Sequence, residues 1–512
     1  MEIFVPDHVF TRIIKNTVFL YISTFIGQIA ALILLPIIIG KVGKADYGLY
    51  VLALSVPPLL SFLDFGMSTA VVKMLAPLHS VKDKDKINEI FLSVLFLRVV
   101  TGVLMGACIW IISYHVARFF KIEAHDIMKA ARLFRIIAVF IAVNWTLLIF
   151  RSVVFARERY EYDTVSSIVN SISGFFLAIA LLNHYKTIEA ATCGLLGGQI
   201  LGNLINLFGS WKLLPHLTLS RHHANFKTLK AVYGFGGKIF ITSVCSSALY
   251  QLDKSLLGIF QSMAQLGDYG IADSLHQIPR MVNLLSTNAI MPAVSNLESK
   301  DEWDKINRII YNASKAVAAL VYPIVFYLFF FAKPFITWYV GGEFKEAVTI
   351  VRVFIIYLIF YVHTGAIGNA LVGTGRVNFL VAQNVIVLAL KVLLSLFLIP
   401  RYGALGAVLS TTIILSLSSP IILIVGGRIL RGSLSFYAKR AIFPHLLPML
   451  FVILFCYFAR PFVEPRFSSL LWASLIVFAI YQGLFYLLGL KKEERKILWV
   501  YIRNYKNRKS IS

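Results

Sequence analysis

The stretch GKADYGLYVLA, residues 43–53, decides the fold because QLGDYGIADSL, residues 265–275, repeats its Asp-Tyr-Gly core 222 residues later. A second pair of stretches follows in the same order. DKDKINEI at 83–90 and EWDKINRI at 302–309 share Asp-Lys-Ile-Asn, at an offset of 219 residues. Two matches in order at nearly one offset indicate an internal repeat, which is common in membrane transporters.

The composition around this repeat is typical of a membrane protein. Of the 512 residues, 58% are hydrophobic and only 14% are charged, and the mean hydropathy is +0.77. In a soluble domain about a quarter of the residues are charged. The apolar residues form blocks of about 20–25, which is the length of a helix that crosses a bilayer core of about 30 Å. The sequence therefore predicts an all-α polytopic membrane protein.

We predict about 14 transmembrane helices. Their expected ranges are 17–40, 48–72, 89–113, 133–156, 164–182, 189–212, 236–260, 268–296, 309–331, 346–371, 377–399, 404–429, 441–459 and 467–490. An even number of spans puts both termini on one side of the membrane. With the termini inside, 30 of the 49 Lys and Arg residues fall in inner loops and tails, 12 in outer loops and 7 within spans. This bias predicts cytoplasmic N- and C-termini, although the outer loop at 118–132 carries four of the outer charges.

The repeat unit contains six spans, so both copies enter the membrane in the same direction. This predicts two parallel six-helix lobes and two extra C-terminal helices. The expected domains are a cytoplasmic segment 1–16, an N-lobe 17–230, a C-lobe 231–430, spans thirteen and fourteen at 431–490, and a basic tail 491–512. We expect the tail to rest against anionic lipid headgroups.

Polar residues follow one face of four predicted spans, the two at the start of each lobe. The stripes are Thr17, Tyr21, Thr24 and Gln28 in span one; Ser61, Asp64 and Ser68 in span two; Ser243, Ser246, Tyr250 and Asp253, with Ser247 and Lys254 at the edge, in span seven; and His276, Arg280, Asn283 and Thr287 in span eight. A charge at the bilayer centre costs about 2.5–3.5 kcal/mol even on a lenient scale, so such stripes must face protein or water.

Asp253 and Lys254 lie about 100° apart on their helix, so each needs a partner on another element. A wet cavity between the lobes and a pair of static interhelical ion pairs both satisfy this need. Basic residues outnumber Asp64, Asp253 and Asp273 within the spans, which favours an anionic substrate such as a pyrophosphate. Arg135, Arg352 and Lys315 could instead extend their charged ends to the membrane surface. The candidate cavity residues are Arg280, Lys254, Asp253, Asp64, Arg98, Tyr250, Asn283, His276, Gln28, Arg352 and Lys391.

The sequence carries no motif of a common enzyme class. It has no phosphate-binding loop, no G-x-G-x-x-G, no H-E-x-x-H, and no connecting loop longer than about 20 residues. The four cysteines lie in apolar blocks, and His222-His223 sits in a basic inner loop without further ligands. We therefore expect no enzymatic activity, no cofactor, no metal site and no nucleic-acid partner.

Several motifs resemble those of polysaccharide or oligosaccharide flippases of the multidrug/oligosaccharidyl-lipid/polysaccharide exporter superfamily, the O-antigen-type translocases. The motifs are GKADYGLYVLALS with LDFGMSTAVVK, LDKSLLGIF with LGDYGIADSL, MPAVSNL, NALVGTGRVNFL and LIPRYGALGAVLSTTI, and the likeness runs from about residue 12 to 430.

The resemblance implies two six-helix lobes around a central cavity, alternating access and a polyprenyl-pyrophosphate-linked oligosaccharide as substrate, for O-antigen, capsule or exopolysaccharide synthesis. It implies a bacterial or archaeal cytoplasmic (inner) membrane. Membrane lipids, a coupling proton or sodium ion and polysaccharide assembly proteins are the other expected partners. A lipid II flippase, a multidrug exporter and, in another class, a membrane glycosyltransferase or polymerase stay open as alternatives.

Overall fold

The computed structural model describes residues 7–64, 67–78, 83–216, 237–287 and 290–496, and within these ranges it contains helices and no strands. The side chains of Thr17, Tyr21, Ser61 and Ser243 and the pair His222-His223 lie outside the described part of the chain. The α-helices are α1 (Asp7–Leu59), α2 (Met67–Leu75), α3 (Lys84–Tyr114), α4 (Val116–Phe119), α5 (Ile127–Ala156), α6 (Tyr160–Tyr185), α7 (Ile188–Leu213), α8 (Gly237–Phe260), α9 (Met263–Thr287), α10 (Ile290–Glu298), α11 (Trp303–Val340), α12 (Lys345–Ile356), α13 (Leu358–Tyr361), α14 (Thr364–Gly373), α15 (Asn378–Ile421), α16 (Gly427–Ile429), α17 (Leu434–Tyr437), α18 (Phe443–Ala459) and α19 (Phe467–Leu484).

The predicted all-α membrane architecture is confirmed, and each predicted span coincides with helical segments. Among the described residues, nine helices are long and apolar enough to cross a membrane, or ten if a bent pair at 345–373 is one span. Two of the nine contain a break, at Gly43 with φ 84° and at Gly403 with φ 58°. Glycine adopts such positive φ values without strain. Each broken helix covers two predicted spans, while fourteen crossings stay a prediction.

Helices α8 and α9 are 24 and 25 residues long but are not among the nine apolar helices. They are the helices of predicted spans seven and eight, and they carry Asp253, Lys254, His276 and Arg280. Their polarity makes them unsuitable for full exposure to lipid, as the polar stripes predicted.

The described chain divides into two compact units. The first comprises Met1–Gly270 with Ser395–Ala404, and the second comprises Ile271–Leu394 with Leu405–Ser512. The boundary therefore falls within α9. The predicted limits of the lobes, at 230 and 430, concern membrane topology and stay predictions.

The first unit has an apolar cluster where α2, α3 and α5 meet. Phe91 and Val94 are fully buried there with Met67, Ile149 and Val153. The two helices α6 and α7 pack along their length through small residues: a Cβ at Gly174 would meet the backbone of Leu195, and Ser166 donates to the carbonyl of Gly202 at 2.7 Å. Small residues that allow close helix approach are the usual basis of helix packing in membranes.

The second unit is organised around α11, the longest uninterrupted helix, at 38 residues. Its first turns join an apolar cluster with Ile290, Val294, Ala366 and Leu371. The C-terminal helices α18 and α19 also pack on α11. Tyr327 of α11 donates to the carbonyl of Leu470 at 3.1 Å, which fixes one of these contacts.

One contact occurs in both copies of the repeat. Asn88, near the start of α3, donates to the carbonyl of His216 just after α7, at 3.3 Å. Asn307, in the first turns of α11, donates to the carbonyl of Leu430 just after α16, at 3.1 Å. Both asparagines belong to the shared Asp-Lys-Ile-Asn motif. In each copy the start of the third span is thus tied to the end of the sixth, which supports the predicted six-span repeat.

Candidate functional site

The two Asp-Tyr-Gly copies contact each other in the first unit. Lys44, just after the break at Gly43, forms an ion pair of 2.7 Å with Asp268 of the second copy. Gly48 lies so close to α9 that a Cβ there would collide with the carbonyl oxygen of Met263. A Cβ at Gly267 would lie 2.8 Å from the carbonyl oxygen of Lys44. The repeated motif therefore builds a tight helix–helix contact, which we call the motif contact.

Asp253, whose place in an apolar run raised the question of a partner, is 1% exposed. The Tyr269 hydroxyl donates to its Oδ2 at 3.2 Å, and the Ser395 hydroxyl donates to its Oδ1 at 3.4 Å. Tyr269 is the tyrosine of the second Asp-Tyr-Gly copy, so it links the motif contact to Asp253. Sequence reasoning missed both hydroxyls, although Ser395 lies four residues after the candidate Lys391 on the same helix.

Lys254 and Tyr250 flank Asp253 on α8 and are both half-buried. Ser255, the residue after Lys254, has its hydroxyl 3.1 Å from that of Ser55 on α1. Gln28, also on α1, is half-buried. Lys254, Tyr250 and Gln28 are each partly exposed, so a ligand or water can contact them.

Asp64 and Arg98 are brought together as an ion pair in the first unit, with a distance of 2.7 Å between Arg98 Nη2 and Asp64 Oδ1. The Asp64 side chain is 25% exposed, whereas that of Arg98 is fully buried. Arg98 was predicted to line the cavity together with Asp64. In this conformation only Asp64 is accessible, and Arg98 lies behind it.

In the second unit, His276 of α9 is fully buried. Its ring stacks on Phe354 with centroids 3.9 Å apart, and its Nε2 lies 2.5 Å from the Tyr357 hydroxyl. Its Nδ1 is 3.6 Å from Asp273. The histidine is thus held by α12 and the turn after it, and sequence reasoning missed Phe354 and Tyr357.

Arg280 lies one turn beyond His276 and is half-buried, and it donates to Gln277 at 3.2 Å. Asn283, in the next turn, is 2% exposed and adjoins Gly365 of α14. Arg352 is half-buried and donates to the carbonyl of Phe329 at 3.0 Å, while Lys391 is 1% exposed. The half-buried candidates thus include three cations, Arg280, Lys254 and Arg352, and three residues that are not cations, Asp64, Tyr250 and Gln28, whereas the other candidates are buried in this conformation.

No group of three or more His, Cys, Asp or Glu residues within the described ranges could hold a metal ion. The candidate residues that the structure describes offer hydrogen-bond donors, hydrogen-bond acceptors and charges. Cations suit phosphate oxygens, and hydroxyl, amide and carboxylate groups suit polyhydroxylated ligands.

The fold matches that of two solved membrane proteins. A solved structure of the lipid II flippase MurJ, in an inward closed conformation, matches with a TM-score of 0.72 at 18% identity, over 91% of this chain and 98% of that one. An inward-facing multidrug resistance MATE family transporter matches with a TM-score of 0.69 at 12% identity, over 81% and 98%. Together with the apolar helices, this defines a multi-pass helical membrane protein that shares the fold of these two proteins.

Residues 42–349 match the family described as polysaccharide biosynthesis protein. This is more than half of the chain, which therefore belongs to that family. A candidate O-antigen transporter of Shigella flexneri is 19% identical over 407 residues, covering 78% of this chain and 94% of the relative. A candidate flippase of low-salt glycan biosynthesis from Haloferax volcanii is 23% identical over 256 residues, covering 50% and 52%. The resemblance inferred from the sequence motifs is confirmed.

Proposed function

We propose that this protein is a flippase that moves a polyprenyl-pyrophosphate-linked oligosaccharide from the inner to the outer leaflet, for O-antigen, capsule or exopolysaccharide synthesis. The observation that carries the proposal is that each of the two helices too polar for lipid carries a half-buried cation, Lys254 on α8 and Arg280 on α9. The family and the named activities of the relatives support the same class of substrate.

The physical need for such a protein comes from the headgroup. Each unpaired hydroxyl costs roughly 1–3 kcal/mol to bury, and a charged pyrophosphate costs much more. In the proposal, Arg280 and Lys254 hold the pyrophosphate by charge-assisted hydrogen bonds. Tyr250 and Gln28 bind sugar hydroxyls, and His276, Asn283, Arg352 and Lys391 contribute when the site opens.

The motif contact supports an alternating mechanism. With both termini in the cytoplasm of a bacterium or archaeon, the turn after span one and the turn after span seven lie on the outer side, so the motif contact closes that side. Opening outward would break the ion pair between Lys44 and Asp268 and separate Gly48 from Met263. In this proposal the lipid tail stays in the bilayer, and a proton or sodium gradient and polysaccharide assembly proteins are further partners.

A lipid II flippase is the second candidate, because the MurJ structure matches 91% of the chain. That likeness concerns the fold, and lipid II is itself a pyrophosphate-linked glycan lipid, so the same cations would serve. A multidrug exporter fits the fold but not the cationic residues, since cationic drugs would be repelled by Arg280 and Lys254.

The test is reconstitution of the full chain in vesicles with a panel of lipid-linked glycans, with and without an ion gradient. We expect Arg280→Ala and Lys254→Ala each to lower the rate of headgroup translocation at least about tenfold, since each removes a charged hydrogen bond to phosphate. Lys305→Ala, on a side chain that is 61% exposed, is the matched control and should translocate normally. Full activity in both test variants would contradict the proposed site, and export of cationic drugs without glycan transport would contradict the substrate class.

A further inference from the structure

Arg98 lies in the middle of α3, a helix otherwise apolar enough to cross a membrane, and its side chain is fully buried. A buried guanidinium at that depth needs several acceptors. Its Nη2 donates to Asp64 Oδ1 at 2.7 Å and to the Ser68 hydroxyl at 2.6 Å. Its Nη1 donates to the backbone carbonyl of Trp145 on α5 at 3.2 Å. All these groups belong to the first unit.

The packing around Arg98 fixes the direction in which it points. The guanidinium lies 5.6 Å from the centre of the Trp145 ring, and Trp145 Nε1 donates to the Thr101 hydroxyl at 3.0 Å. Thr101 is one turn after Arg98 on α3. The guanidinium is therefore held between α3 and α5, and its Nη2 points toward Asp64.

Asp64 ends a short 3₁₀ stretch, Leu60–Asp64, that follows the long helix α1. Its Oδ1 accepts from Arg98 and, at 3.3 Å, from Ser68. Its Oδ2 accepts no hydrogen bond from the residues that the structure describes, and the side chain is 25% exposed. The carboxylate thus presents one oxygen outward while the other is held from behind by a cation.

We infer that Arg98 is a positioning residue that acts on the cargo through Asp64. It directs Oδ2 as an acceptor for hydroxyl groups of the glycan, and its charge cancels a negative charge that would repel the pyrophosphate. Arg98 itself has no exposed surface and touches no cargo in this conformation. The inference rests on the proposed function and names the ligand class of Asp64, a polyhydroxylated headgroup joined to an anion.

The test is a double-mutant cycle at Arg98 and Asp64 that removes the two charges singly and together. Arg98→Met keeps most of the buried volume but leaves Asp64 uncompensated, and we expect it to raise the KM for lipid-linked glycan about tenfold with little change in maximal rate. Asp64→Asn should raise KM only a few-fold, because an amide can still accept a hydroxyl. The double variant Arg98→Met/Asp64→Asn should return to the KM of Asp64→Asn, because no uncompensated charge remains.

A double variant with the same raised KM as Arg98→Met would overturn the inference, since Arg98 would then act by packing alone. A lower maximal rate of Arg98→Met at an unchanged KM would overturn the inference as well. If Arg98→Met does not fold, the comparison is made between Arg98→Lys, which keeps the charge and should keep the wild-type KM, and the double variant. A raised KM in Arg98→Lys equal to that of the double variant contradicts a role for the charge.

Inorganic pyrophosphate gives a readout that does not depend on flipping. Added to the purified full chain, it should raise the unfolding temperature of the wild type and the double variant at similar concentrations, and that of Arg98→Met only at about tenfold higher concentration. If this pattern appears while no glycan lipid is translocated, the proposed function fails and the charge role of Arg98 stands. If glycan lipid is translocated but pyrophosphate stabilises all variants alike, the charge role of Arg98 fails.

Discussion

The two copies of the Asp-Tyr-Gly motif make the same close approach but different ion pairs. Gly48 and its counterpart Gly270 both face the other copy, Gly48 against Met263 and Gly270 against Tyr47 and Val51. Asp268 pairs with Lys44 across the motif contact, whereas its counterpart Asp46 pairs with Lys129 of α5 at 2.5 Å. The comparison shows that the glycine shared by both copies determines how closely the helices approach. Residues that the copies do not share, Lys44 and Lys129, determine which ion pairs form.

The third span of each copy shows the same division. Asn88 and Asn307 make equivalent contacts, yet the most apolar stretch of α3 is 33% buried and that of α11 is 72% buried. Lys315 on α11 is 6% exposed and pairs with Glu494 at 2.7 Å, while the equivalent Phe96 on α3 is 62% exposed. The extra helices α18 and α19 pack on α11 and bury part of its apolar surface.

We expect the largest effect on stability from replacing the glycine that lets the helices approach closely in one copy. Gly48→Leu would collide with a backbone carbonyl, whereas Gly270→Leu would meet side chains that can move. Overpacking costs about 1–3 kcal/mol and more where backbone must shift, so Gly48→Leu should lower the unfolding midpoint further than Gly270→Leu. Gly40→Leu, with no neighbouring atom within 4 Å, is the control and should be close to neutral. Equal losses at positions 48 and 270 would contradict the comparison.

The asparagine pair should give a smaller effect. Asn307 donates to the carbonyls of Trp303 and Leu430, and Asn88 donates to that of His216. Leaving buried carbonyls unpaired costs roughly 1–3 kcal/mol, so we expect a similar loss of about 1–2 kcal/mol for Asn307→Ala and for Asn88→Ala. Chemical unfolding in mild detergent measures both. A loss at one position alone would show that the two contacts are not equivalent.

We expect a smaller difference in stability between variants of the two ion pairs. Asp268→Asn removes the partner of Lys44 from a site where the carboxylate is 2% exposed, at an expected cost of about 1–2 kcal/mol. Asp46→Asn should cost below about 1 kcal/mol, because Lys129 keeps Asp126 at 3.0 Å. Thermal unfolding of the two variants at low and high salt tests this order, and the Asp268 effect should persist at high salt because its pair is less exposed.

The smallest effect concerns the pair that only the second copy has. Burial alone would raise the pKa of Glu494, but the hydrogen bond from Lys315, and then the backbone and charge of Lys491, hold that pKa below its ordinary value. A depressed pKa means that the stabilisation is complete above the ordinary carboxylate value and is lost as the pH falls through the value in the folded protein. Glu494→Gln should therefore lower the unfolding temperature slightly at neutral pH.

The same substitution should have no effect at a pH low enough to protonate the wild-type carboxyl group. Glu464→Gln, a 60% exposed residue whose partner is Arg466, is the matched control and should change nothing at either pH. A difference between wild type and Glu494→Gln that grows on acidification would contradict the assignment.

The sequence predicted the helical membrane class, the repeat and the polar faces, because bilayer thickness and charge cost act directly on composition. It also named Asp64, Arg98 and Asp253 as separate cavity candidates, which stay a prediction. It could not predict that Arg98 lies behind Asp64, or that Tyr269 and Ser395 reach Asp253, because these depend on helix rotation and register. Lys44 and Asp268 lie 224 positions apart in the chain and meet only through packing that no local pattern encodes.

The face-to-face contact of the two motifs has a consequence for the history of the chain. A homodimer of a six-span protein with a two-fold axis would place each Asp-Tyr-Gly motif against the same motif of the other subunit. Identical subunits must carry the same residue on both sides of such an axis. The residue equivalent to Lys44 in the second copy is Leu266, so the ion pair with Asp268 forms once, whereas two identical subunits would form it twice.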